Sequence, residues 1–137
     1  MQVEPYLYFE GRCDEAIEFY KAALGAEVMM LMRFKDNPDP NGRAMIPPGA
    51  ENKVMHASLR VGDTRIMASD GRCEGNPSFH GVTLSITVAD VEQANRLFAS
   101  LAEGGKVQMP LATTFFSPRF GMVADRFGVS WMIYVVK

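Results

Sequence analysis

Thr83, Ser85 and Thr87 put three hydroxyls at alternate positions of the stretch HGVTLSITVAD (residues 80–90), and His56, Ser58 and Arg60 alternate in the same way through VMHASLRV (residues 54–61). A strand sends successive side chains to opposite faces, so each trio shares one face. The opposite faces carry Val82, Leu84, Ile86 and Val88 in one stretch and Met55, Ala57, Leu59 and Val61 in the other. Hydroxyls and neutral imidazole both donate and accept hydrogen bonds, and imidazole can also take a proton as a general base. His56 is therefore the candidate catalytic residue, and Ser58, Thr83, Ser85 and Thr87 are candidate ligand contacts. The same alternation marks any antiparallel sheet with one solvated face, so the architecture has to decide between a cavity wall and a plain surface.

Other residues with chemical potential are more scattered. Arg119 and Asp125 bracket RFGMVAD, where a guanidinium could clamp a carboxylate or phosphonate in bidentate fashion or pair with a surface carboxylate. In SWMIYVV, parity turns Trp131 toward the helices and Met132 and Tyr134 toward the polar face. Phe116 is a further candidate for a cavity wall. His56 and Asp70 are two metal-capable groups without a third, and His80 lies in a linker. Cys13 precedes a helix start, where a thiolate is stabilised, but no base accompanies it, so it reads as structural.

The elements that must position these residues form a repeat. VEPYLYF (residues 3–9) reads as a strand; from Asp14, Ala16, Ile17, Tyr20, Ala23 and Leu24 fall on one helical face, and Gly25 sits where a helix C-terminal glycine belongs. In the second half GVTLSITV is the strand, Asp90 with Gln93 suggests a capping box, and Val91, Ala94, Leu97, Phe98 and Leu101 form the stripe before Gly104 and Gly105. Superposing the helices sets Ala16 on Ala94 and Tyr20 on Phe98. Strand-like runs follow each helix: AEVMMLMRF, KVMHASLRV and TRIMASD in the first half, the last two joined by a Gly62-Asp63 turn, then KVQMPLATTFF, FGMVADRF and SWMIYVV. Each half is thus strand, helix, strand, strand, strand. A proline-containing polar loop between Lys35 and Lys53 is long enough to be a lid or flap.

Composition narrows the class. With 137 residues, 47% of them apolar, the chain suits one domain of residues 1–137, built as module one (about 1–72) and module two (about 79–137). A net charge of −2 with dispersed Lys and Arg gives no footprint for nucleic acid. No apolar run reaches the roughly 20 residues needed to span a bilayer, and no secretory layout is visible, so the expectation is a cytoplasmic protein with no membrane partner. Two cysteines, Cys13 and Cys73, suggest no disulfide framework.

Two tandem βαβββ modules resemble the vicinal-oxygen-chelate superfamily, which includes glyoxalase I, extradiol dioxygenases, fosfomycin-resistance enzymes and bleomycin-binding proteins. Within it, PYLYFEGRCDEAIEFYKAALGAEV, VMHASLRVGDTRIMASD and FFSPRFGMVADRFGVSWMI resemble the PhnB-like branch, also labelled a 3-demethylubiquinone-methyltransferase-like domain. The resemblance spans essentially the whole chain. It implies an α+β fold whose two modules cup mainly antiparallel sheets around a ligand cavity, and often a homodimer. Ser58, Met67, Thr83, Ser85, Thr87, Arg119, Met132 and Tyr134 then become candidate cavity residues. One departure is the loop before Arg119, where relatives usually carry a Trp-Gly-Asp type sequence and this chain has Ser117-Pro118.

Metal-dependent members of the superfamily use four His, Glu or Gln ligands, two from each module. Those places fall here on Pro5, Thr83 and Met132, with the fourth near Met67. The helix offset makes Pro5 and Thr83 equivalents, and aligning RVGDTRIM with DRFGVSWM makes Met67 and Met132 equivalents. Proline has no ligand atom, thioether is soft and threonine is a weak donor, so the resemblance comes without its usual metal and no cofactor is expected. The two strand-to-helix turns, FEGRCDEA and TVADVEQA, lack the glycine-rich cradle of an adenosyl or dinucleotide cofactor, which disfavours methyl transfer. Three readings remain: a metal-free small-molecule-binding protein, a metal-independent lyase or isomerase with His56 as base, and a metal-dependent glyoxalase-like or dioxygenase-like enzyme.

Overall fold

The computed structural model describes residues 1–44 and 46–137, which divide into two compact units, Met1–Pro77 and Ser78–Lys137. Each is built from one helix-covered four-stranded sheet.

The first unit comprises β1 (Tyr6–Tyr8), α1 (Cys13–Leu24), β2 (Glu27–Arg33), a short α2 (Pro40–Ala44), β3 (Val54–Val61) and β4 (Thr64–Ser69). Its sheet runs β1-β4-β3-β2, with β1 parallel to β4 and the other pairs antiparallel. Leu7, Ala57, Leu59, Ile66 and Ala68 are buried on one face, and α1 turns Ala16, Ile17 and Tyr20 into the same core. Burial of each larger apolar side chain there is worth about 1.5–3 kcal/mol. The strand expected over residues 3–9 is pared down to Tyr6–Tyr8. Pro5 has no N–H for a ladder, though its carbonyl accepts from Met67 N at 3.0 Å. The expected loop from Lys35 to Lys53 is shorter in effect than its length suggests. A 3-10 turn (Phe34–Asp36) and α2 occupy part of it, and Phe34 N and Lys35 N bond to Lys53 O and Glu51 O. Met45, within it, lies outside the described residues.

The second unit comprises β5 (Thr83–Val88), α3 (Val91–Ala102), β6 (Lys106–Ala112), β7 (Phe120–Ala124) and β8 (Ser130–Val135). Its sheet repeats the first topology, β5-β8-β7-β6, with β5 parallel to β8. Val123, Trp131, Ile133 and Val135 line the side that α3 covers with Ala94, Phe98 and Leu101.

The two helices start differently. Asp90 caps α3 locally, its carboxylate accepting from Gln93 N at 2.7 Å. At α1 the N-cap residue Arg12 makes no side-chain capping bond. Asp70, just past β4, supplies the carboxylate instead: Oδ1 accepts from Cys13 N at 2.8 Å and Gly11 N at 2.9 Å, while Oδ2 accepts from Val54 N at 2.8 Å. One buried side chain therefore joins the helix start to the start of β3. Gly25 ends α1 in the left-handed conformation at φ 68°, as its position after the apolar stripe predicts.

Candidate functional site

Each sheet has a face that its helix leaves uncovered. In the first unit strand register sets Tyr6 opposite Met67, Met67 opposite Ser58 and Ser58 opposite Met30, so these four form one row across β1, β4, β3 and β2. His56 lies one pleat along from Ser58 on the same face and is opposite Met32. The Tyr6 hydroxyl and His56 Nδ1 are 2.9 Å apart, and the two rings sit tilted with centroids 5.5 Å apart. Tyr8, on the same side of β1, stands 5.0 Å from Tyr6 by ring centroid. Burial pushes the Tyr6 phenol above its ordinary range, opposed by Ser69. The phenol therefore stays a neutral hydrogen-bonding group at physiological pH.

The candidate residues of the first unit, His56, Ser58 and Met67, thus share a face. Ser58 is buried between its methionine neighbours, while His56 and Met67 are half-buried. Tyr6 is a residue that the sequence alone does not connect to His56, 50 positions away. The Tyr-Leu-Tyr alternation of β1 held the signal, but only the parallel β1–β4 pairing carries that strand to His56. Arg60 and Arg65 stand opposite each other on the same sheet, and both are engaged. Arg60 holds Glu27 at 2.7 Å and Arg65 makes a bidentate pair with Glu4 at 2.6 and 3.0 Å.

In the second unit the uncovered face carries a row of Ser85, Met132, Met122 and Met109 across β5, β8, β7 and β6. Thr87 lies opposite Tyr134, which is in turn opposite Phe120. Ser85 and Thr87 are exposed. Thr83 donates to Ser130 Oγ at 3.0 Å, and Ser130 donates to Gln108 Oε1 at 3.1 Å, a polar run across the same face. Phe116 stacks on Tyr134 at 6.1 Å and meets Phe120 edge-on at 5.1 Å, so it does border this face. Trp131 points the other way, as parity predicts, and donates its indole N–H to Asp125 Oδ2 at 2.9 Å.

Arg119 precedes β7 and shares the parity of Gly121, which faces Phe98 of α3, rather than that of Phe120 and Met122. Asp125 is structural. Its Oδ1 accepts from Phe127 N and Val129 N, closing the β7–β8 turn around the indole bond. Asp70 already accepts from three backbone N–H groups, which take three of the roughly four lone-pair sites of its carboxylate. Cys13 and Cys73 are free, and burial pushes the Cys13 thiol far up, with Asp70 and Asp14 adding to the shift. The helix-start position does not yield a thiolate.

The four places of the superfamily's metal ligands lose one symmetry expected of them. Met67 faces Tyr6 in β1, whereas Met132 faces Ser85 in β5. If the methionines correspond, Ser85 is the counterpart of Tyr6, and Pro5 is not that of Thr83. The strands are one residue out of step with the helices, and the extra residue lies in the Phe9–Arg12 connection, where Gly11 takes φ 112°. A one-residue slip exchanges faces. As donors, Pro5 has its carbonyl committed to Met67 N, Thr83 gives its proton to Ser130, and Met67 and Met132 are thioethers. That set does not fit a hard divalent ion.

Comparison with known proteins gives a consistent answer. The family described as 3-demethylubiquinone-9 3-methyltransferase matches residues 1–134. Protein YjdN of Escherichia coli (strain K12) is 38% identical over 142 residues, covering 100% of this chain and 97% of that protein. Among solved structures, protein PA1353 from Pseudomonas aeruginosa is 40% identical with a TM-score of 0.85, covering 99% of this chain and 98% of that one. A putative 3-demethylubiquinone-9 3-methyltransferase, PhnB protein, from Bacillus cereus is 29% identical with a TM-score of 0.81, covering 99% and 100%. In fold alone the similarity reaches the fosfomycin resistance protein FosX from Mesorhizobium loti, with a TM-score of 0.64 at 6% identity over 100% of this chain and 92% of that one. The chain belongs to the 3-demethylubiquinone-9 3-methyltransferase-like family and shares the fold of its PhnB protein.

Proposed function

We propose that this chain binds a small organic molecule on the helix-free face of its first sheet, without a divalent metal. The observation that carries the reading is the Tyr6–His56 pair, a polar group held at 2.9 Å amid Met67, Ser58 and Met30. A few placed polar groups within an apolar, polarisable lining is the usual make-up of a small-molecule site. Its methionines, unbranched and soft, adapt to an irregular ligand shape. Ser85, Thr87, Met132 and Tyr134 offer the second sheet a similar mixture.

Methyl transfer is not part of the reading. Both sheets are four-stranded and mixed, and the Phe9–Arg12 and Ala89–Asp90 connections contain a single glycine, Gly11, so neither forms a cradle for an adenosyl cofactor. Metal independence rests on the donor chemistry of Pro5, Met67, Thr83 and Met132. A homodimer belongs to the same reading, supported by Val28, Met29, Met30 and Leu31 of the edge strand β2, all at least one-third exposed.

The test is thermal unfolding against a panel of small aromatic and carbonyl compounds, with Ni²⁺, Zn²⁺, Mn²⁺ and Fe²⁺ in parallel. A true ligand at one hundred times its Kd adds about 2.7 kcal/mol of stability, and His56→Ala is expected to reduce that gain at least tenfold in affinity. The four ions are expected to give no specific rise. A large rise with one of them would restore the metal-dependent reading, and a panel without any stabilising compound would count against binding at this face.

A further inference from the structure

His56 has two ring nitrogens with different fates. Nδ1 meets the Tyr6 hydroxyl at 2.9 Å. Nε2 has no hydrogen-bond partner among the described residues, yet no unpartnered buried side-chain nitrogen or oxygen is found among them, so Nε2 is open to solvent. The direction of the Tyr6–His56 bond decides what Nε2 can do. Phenol O–H is a good donor and a poor acceptor, and the bare nitrogen of neutral imidazole is the better acceptor of the two. Ser69 also reaches the Tyr6 hydroxyl, but its Oγ already accepts from Gly71 N at 3.1 Å, so Ser69 gives its own proton to the phenol oxygen and the Tyr6 proton is left for Nδ1. The arrangement that satisfies both groups is Tyr6 O–H donating to Nδ1, which leaves the imidazole proton on Nε2.

We propose that Tyr6 is a positioning residue that holds His56 as the Nε2–H tautomer, so that the first sheet offers a hydrogen-bond donor to an uncharged oxygen acceptor, such as a ketone or aldehyde carbonyl. This rests on the small-molecule reading above and names the ligand class for that site. It also changes the role open to His56. An imidazole whose outward nitrogen already carries the proton polarises a carbonyl rather than abstracting a proton, so the same geometry that presents the ring opposes its use as a general base. The class of ligand follows from the charges on the sheet as well. Arg60 and Arg65 are each paired with a glutamate, so neither offers a free cation to a carboxylate or phosphonate.

The tautomer can be read directly. In the full chain labelled with ¹⁵N-histidine, at a pH well above the usual imidazole range, two-bond couplings from the ring carbons' protons identify the protonated nitrogen. The chain has two histidines, and His80→Asn assigns them. The expected result is His56 protonated at Nε2 in the wild type and a mixture of tautomers in Tyr6→Phe, which keeps the ring and loses only the hydroxyl. A wild-type imidazole protonated at Nδ1 would overturn the proposal, as would a Tyr6→Phe spectrum identical to the wild type. Acetophenone and ethylbenzene then probe the ligand class at matched concentration. Acetophenone should move the His56 Nε2 signal at least twofold more than ethylbenzene, which has the ring without the oxygen. Equal or absent effects would overturn the carbonyl assignment. The tautomer is measured with no ligand present, so its failure leaves small-molecule binding standing, and a failed ligand screen leaves the tautomer standing.

Discussion

Asp70→Ala is expected to lower the stability of the protein by about 3–5 kcal/mol, read as a shift of the urea midpoint with an unchanged slope. Asp70 is fully buried and accepts from three backbone N–H groups, those of Gly11, Cys13 and Val54. An alanine orphans all three. Each costs about 1–3 kcal/mol when left without a partner, less whatever entering water recovers. The loss also strikes where α1 has no cap of its own, since Arg12 supplies none. Asp70→Asn separates the contributions: its amide oxygen can keep the two bonds to Gly11 and Cys13, but its nitrogen then turns toward Val54 N–H, so it should recover only part of the loss. Stability within about 0.5 kcal/mol of wild type in Asp70→Ala would refute the view of this residue as the tertiary cap of α1.

Gly105→Ala should be nearly as damaging, by about 2–4 kcal/mol, for a steric reason. A Cβ at this position would collide with Ala124 O and lie 2.9 Å from the Asp125 carbonyl carbon and 3.0 Å from its Cα. These are backbone atoms, held by the Lys106–Ala124 pairing of β6 to β7 and by the Asp125 turn, so no side chain can rotate away. Relief requires the start of β6 to lift from β7. Amide hydrogen exchange should therefore accelerate selectively in Lys106–Ala112, with β5 and β8 much less affected. Unchanged exchange in β6 at wild-type stability would show that the connection has room that the backbone geometry denies.

Local chemistry was legible where the determinant lay within a few residues. Asp90 and Gln93 announced the start of α3, Gly25 the end of α1, and Gly62-Asp63 the β3–β4 turn, because caps and tight turns are set by near neighbours. Strand parity likewise separated Trp131 from Met132 and Tyr134, since the pleat alternates whatever the strand is paired with. Arg119 stands just outside β7, where the pleat gives it the parity of Gly121 rather than that of Met122. The Pro5–Thr83 equivalence failed because one extra residue around Gly11 shifts the strand against the helix, and helix matching alone cannot detect such a slip.

The amino-acid sequence by itself determined the repeated strand-helix-strand order, the family and the alternation that gives each sheet one apolar and one mixed face. These follow from periodicities read along the chain. Only the tertiary structure decided that Tyr6 meets His56 and that Asp70 caps a helix 57 residues away in sequence. Both depend on the parallel β1–β4 register and the close of β4 against α1, contacts between segments whose separation along the chain leaves no local trace.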